Sequence, residues 1–149
     1  MASPLERDSP EAECLEWVKR GEWDWRSAHL LFEAEVPVPE TACYHAQQAV
    51  EKILKAFLIS RGAAAPRTHN LVALLDAAVE LEPSTADLKE ACSLLTPYAV
   101  DLRYPGDIGV VERGEAENAL SMMDRAWSRL AALLPPESRV LAESLHGSG

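Results

Sequence analysis

His45, Gln48, Lys52 and Lys55 fall within roughly 80° of one another on a helix that turns about 100° per residue. They belong to the run from Ala42 to Leu75, ACYHAQQAVEKILKAFLISRGAAAPRTHNLVALL. Two ammonium groups, an amide and an imidazole on one face suit phosphate oxygens and the edge of a base. Ala49 and Ala56 project into the same sector, so a ligand or a second subunit has room to approach. The sector lies nearly opposite the helix's apolar stripe. The plainer alternatives are a solvated face, or His45 and Gln48 hydrogen-bonding to another helix and fixing its register. No metal site is expected, because Cys43 and His45 stand two apart on a helix and point in different directions.

A second chemical segment is LLTPYAVDLRYPGD, residues 94–107. Pro97 falls inside a helical pattern, where a proline costs about 3 kcal/mol and frees an upstream carbonyl. The kink it predicts redirects Tyr98, Asp101, Arg103 and Tyr104. Arg103 then serves as an anion fork, with the tyrosines as stacking platforms or hydroxyl donors. The alternative is that Arg103 pairs with Asp101 or Asp107 and ties down the helix end.

Helices must position these groups. Helix formers dominate and glycine is sparse, 7 of 149 residues, so the expectation is an all-α antiparallel bundle of about five helices, a four-helix up-and-down core plus a short helix. Cys14, Val18, Gly21, Trp25, Ala28 and Phe32 mark one face of a first helix over about Pro10–Ala34. Pro10 suits its first turn, and Gly21 in a core slot implies a neighbouring helix close by or a slight kink. A second helix runs from about Glu40 to Arg61 on Cys43, Ala46, Val50, Ile53, Leu54 and Phe57, with Gly62 as its stop. Thr68 is the expected N-cap of a short third helix. Pro83-Ser84 opens a fourth with the stripe Leu88, Ala91, Leu95, Ala99 and Leu102. The fifth carries Ala116, Leu120, Met123, Trp127, Leu130 and Leu134 and ends at Pro135-Pro136. Residues 1–9 read as a disordered N-terminus, 10–135 as the bundle, and 136–149 as a partly disordered tail holding one weak amphipathic piece.

The net charge of −10 and pI near 4.8 oppose non-specific DNA binding, which rests on many lysine and arginine contacts to phosphate. A local basic pocket and a basic protein partner both remain compatible with it. Three cysteines, Cys14, Cys43 and Cys92, on apolar faces read as free thiols in a reducing compartment. With no apolar leader and no membrane-length apolar run, the expectation is a soluble, cytoplasmic protein. No glycine-rich phosphate loop, nucleophile elbow or zinc-binding helix motif is present, and no cofactor is implied.

Taken together, YHAQQAVEKILKAFLISRG, then PRTHNL, then Tyr98-x4-Arg103-Tyr104-Pro105-Gly106-Asp107 resemble the HEPN domain family. These are small helical bundles, many encoded beside minimal nucleotidyltransferases in prokaryotes. The likeness runs from about Trp23 to Trp127. It implies a bundle of four to five helices, commonly a homodimer, with a cleft associated with nucleotide or RNA binding. By motif match it carries over His45, Gln48, Lys52, Lys55, His69, Tyr98, Arg103 and Tyr104 as nucleotide-binding residues.

Ribonuclease members of that family place a histidine four to six residues after an arginine and work without metal. After Arg103 this chain reads YPGDIGVVERG, and the next histidine is His146. Arg61 and His69 are separated by seven residues and a helix break. The expectation is therefore a non-catalytic nucleotide- or polyphosphate-binding domain acting with a separately encoded nucleotidyltransferase. The alternatives are a metal-independent ribonuclease toxin of a toxin–antitoxin pair, using His45 or His69 with Arg103, and a structural dimerisation or interaction module.

Overall fold

In the computed structural model, residues 9–100 and 111–144 are described. They form six α-helices: α1 Pro10–Glu33, α2 Pro39–Ser60, α3 Leu71–Leu81, α4 Lys89–Leu95, α5 Arg113–Ala131 and α6 Pro136–Glu143. Two 3-10 segments, Pro83–Leu88 and Thr96–Ala99, flank α4, and no strand occurs among the described residues.

The starts follow from local chemistry. Ser9 accepts a hydrogen bond from the Ala12 amide at 3.1 Å, with Pro10 in the first turn and Glu11 and Glu13 at the positive end of α1. At the end of α2, Gly62 adopts φ +79°, a left-handed conformation that glycine enters without strain, and the helix stops there. The cap of α3 is Asn70, not Thr68: its Oδ1 accepts from the Val72 and Ala73 amides at 2.9 and 3.2 Å. Thr68 instead accepts from the Asn70 amide, one residue pair earlier.

Cross-helix pairs set the direction of each layer. Moving along α2 from His45 to Lys52 to Lys55, the partners on α1 run backwards from Asp24 to Trp17, so α1 and α2 are antiparallel. Trp25 and His29 meet Asp124 while Gly21 meets Trp127, so α5 also runs antiparallel to α1. The core lies between these helices, built on Val18, Val50, Ile53, Leu54, Phe57, Met123, Trp127 and Leu130, all fully buried.

Three further sequence expectations change. Pro97 kinks no helix: α4 ends at Leu95, and Pro97 sits in the first turn of the 3-10 segment, where its missing amide costs nothing. The fourth stripe is a 3-10 segment followed by only seven α-helical residues, because Pro83 and Pro97 bracket it, and Leu102 lies outside the described residues. The weak amphipathic piece after Pro135-Pro136 is a proper helix, α6. It buries Ser138 and Ala142, and the Ala142 carbonyl accepts from Trp127 Nε1 at 3.0 Å.

Candidate functional site

α2 is the central helix and is buried on nearly every side, including at Gln47, Glu51 and Lys55. The face carrying His45, Gln48, Lys52 and Lys55 is therefore not a solvated one. What lines it instead is a set of carboxylates. Asp24 of α1, 7% exposed, takes His45 Nδ1 on one oxygen at 2.7 Å and the Lys52 ammonium on the other. Glu51, 4% exposed, accepts from Lys55 Nζ at 3.1 Å, His69 Nδ1 at 2.8 Å and Gln47 Nε2 at 3.2 Å. Gln47 also donates to the His69 carbonyl at 3.0 Å, and Gln48 Nε2 donates to Gln47 Oε1 at 2.6 Å.

These bonds compensate charge within the fold. Taking an ammonium out of water costs several kcal/mol unless a carboxylate and hydrogen bonds replace the solvent. Each of Lys52 and Lys55 has its own carboxylate, so the two lysines do not form an open basic face. Because carboxylates only accept, both histidines donate from Nδ1, and neither Nε2 has a hydrogen-bond partner among the described residues. His69 is the outermost member, with its side chain 70% exposed.

The structure thus gathers His45 and Lys52 around Asp24, and Gln48, Lys55 and His69 around Glu51 and Gln47. Tyr98 stands apart: its hydroxyl donates to Glu115 Oε1 at 2.6 Å on α5. The segment it belongs to is tied to the start of α3 by Thr96, whose Oγ1 accepts from the Leu71 amide at 3.2 Å. Arg103 and Tyr104 lie outside the described residues.

At the C-terminal end of α2 the polar strip opens into a groove of about 650 Å³. It is lined by Trp17 and Glu13 of α1, Lys55 and Ile59 of α2, and the connector from Gly62 to Arg67. Lys55 lies against the Trp17 ring, its Nζ 5.4 Å from the ring centre. Sequence reasoning missed Asp24, Gln47, Glu51, Trp17 and Arg67. Two of them carried a signal. Asp24 falls three residues after Gly21 on the core stripe, and Glu51 precedes Lys55 by four, the favourable order for a helical ion pair.

A second polar cluster joins α1 to α5. Asp124 Oδ1 accepts from Trp25 Nε1 at 2.9 Å and meets His29 Nε2 at 3.1 Å. The hydrogen bond to Asp124 raises the His29 pKa above its ordinary value, against the opposing effect of burial. Elsewhere burial pushes the Cys92 thiol up to about 12 and also raises that of Cys14. No group of three or more histidine, cysteine or carboxylate side chains among the described residues is placed to hold a metal ion.

A family model, the HEPN domain, matches residues 14–132. The chain belongs to the HEPN domain family. The fold is also similar to the crystal structure of TT1696 from Thermus thermophilus. That likeness has a TM-score of 0.66 and 27% identity, covering 82% of this chain and 98% of that one. No curated protein matches the chain. Within this HEPN bundle, the ring hydrogen bonds of His29, His45 and His69 among the described residues run to carboxylates, those of Asp124, Asp24 and Glu51. No helix among them is long and apolar enough to cross a membrane.

Proposed function

We propose that this HEPN domain is a non-catalytic nucleotide-binding module that acts with a separately encoded nucleotidyltransferase-domain protein. One observation carries the reading: the lysine-bearing face of α2 ends in a groove of about 650 Å³ that holds an aromatic ring, a buried ammonium and an exposed guanidinium. That volume lies within the range of about 300–1,000 Å³ usual for small-molecule sites. Family membership supports a nucleotide or RNA as the ligand and a homodimer as the assembly. Titration calorimetry with AMP, ATP, GTP and short RNA tests the reading. Binding of a nucleotide below millimolar is expected, and no heat from any of the four refutes it.

A ribonuclease reading is favoured by a different observation. His45 and His69 each have Nδ1 fixed by a buried carboxylate, which sets the orientation of the ring and of its Nε2 edge. Growth on induction and the integrity of cellular RNA separate the two readings. Intact RNA and normal growth remove this one. The reading as an interaction module rests on Trp23 and Leu30, seven residues apart on α1 and both largely exposed. Sedimentation of the wild type against Trp23→Ser reports whether that stripe holds two chains together.

A further inference from the structure

We infer that the groove between α1, the end of α2 and the 62–67 connector is a site for a nucleoside monophosphate, and that it disfavours polyphosphates and RNA. The inference rests on the nucleotide-binding reading and names its ligand class.

The floor of the groove is Lys55, which is 8% exposed. An ammonium has three N–H donors. Among the described residues only one of them is used, by Glu51 Oε2 at 3.1 Å. The Trp17 ring lies against the same ammonium, its centre 5.4 Å from Nζ, and the N–H groups not turned to Glu51 can donate to an anion's oxygens in the groove. Arg67 stands at the rim, exposed and without an ion pair among the described residues. A free guanidinium offers a planar fork that matches two oxygens of one phosphate. Apart from Glu13, the remaining side chains of the lining are apolar: Trp17, Ile59, Ala63, Ala65 and Pro66 suit a planar ring.

Charge decides between one phosphate and several. The cations of the site are Lys55 and Arg67. Glu51 lies directly behind Lys55, and Glu13 lines the same groove. Two positive and two negative groups cancel before any ligand arrives, on a chain whose net charge is −10. A single phosphate is held by Arg67 and the spare donors of Lys55. Each further phosphate of a triphosphate or an RNA backbone meets no additional cation of the groove and lies in the field of Glu13 and the acidic surface.

Isothermal titration of the full chain with adenosine, AMP, ATP and inorganic polyphosphate tests this. AMP is expected to bind at least tenfold tighter than adenosine and no weaker than ATP. Arg67→Ala should bring AMP down to the affinity of adenosine, Arg67→Lys should recover part of the difference, and Arg125→Ala, on α5 and not lining the groove, should change nothing. Arg67 is exposed, so these variants keep the fold, which circular dichroism verifies. If ATP or polyphosphate binds tighter than AMP, or AMP affinity survives Arg67→Ala, the monophosphate site is wrong while nucleotide binding stands. If none of the four binds, both fall.

Discussion

Replacing Glu51 by Gln probes the ion pairing inside α2. Glu51 is 4% exposed and receives Lys55, His69 and Gln47. An amide of the same shape removes the charge opposite Lys55, itself 8% exposed, and turns an NH2 group toward donors. Breaking a buried pair by neutralising one partner costs about 3–5 kcal/mol, because the other charge stays desolvated. The amide can still accept one hydrogen bond, so the lower end, about 3 kcal/mol, is expected for Glu51→Gln. For a chain of 149 residues that corresponds to a fall in Tm of about 6–12 °C. Lys55→Met alone leaves Glu51 with His69 and Gln47 and should cost about 2 kcal/mol. The double variant has no buried charge left at this point and should cost less than the sum by at least about 2 kcal/mol. Urea unfolding of all four proteins by circular dichroism gives the cycle, with equal slopes required for the comparison. Single effects that add to within about 0.5 kcal/mol would show that Lys55 and Glu51 are solvated, and the compensated-core description would fail.

Gly21→Ala should destabilise by about 1–2 kcal/mol although alanine is the better helix former by about 1 kcal/mol. The added Cβ falls 2.9 Å from Trp127 Cζ3 and 3.3 Å from Lys52 Cβ, and Trp127 is pinned to Ala142; an unchanged urea midpoint contradicts this. For His29, whose folded pKa is raised above 6.5, the stabilisation is fully present below 6.5 and is lost as pH rises through the folded value. The difference in Tm between wild type and His29→Gln should therefore shrink from pH 6 toward pH 8, and a constant difference refutes it. Cys92, with its thiol at about 12, is a thiolate in only about one molecule in 10⁴ at pH 8, so alkylation of the native chain should leave it unmodified until the chain unfolds. Mass spectrometry of native and urea-treated protein reads this directly.

The all-α bundle was legible because its signals are local. Pro10 sits in the first turn of α1, Gly62 closes α2, and the apolar stripes repeat at three and four residues; the Ser9 cap was not anticipated, since residues 1–9 read as disordered. Gly21 was legible as a close approach for the same reason, and Trp127 is what approaches it. The cap of α3 was misjudged by two residues, since neighbouring polar residues offer equivalent caps, and α4 ends at Leu95 before Pro97, where the apolar stripe alone ran on to Leu102. The site was harder. A helical wheel of α2 alone displays lysines and a histidine; it cannot display Asp24, which arrives from α1, nor that Glu51 faces inward. Reading cations without the carboxylates that tertiary packing brings to them made the face look basic and open. Trp17 and Arg67 were invisible for a related reason: the groove exists only where α1, α2 and the connector meet.

The most direct test is a map of amide and indole resonances during titration of the full chain with AMP. Shifts are expected at Trp17, Ile59 and the backbone from Gly62 to Arg67, with His45 and Lys52 little changed because Asp24 already holds them. Shifts centred on His45, Gln48 and Lys52, or no shifts at millimolar AMP, would contradict the assignment of the groove.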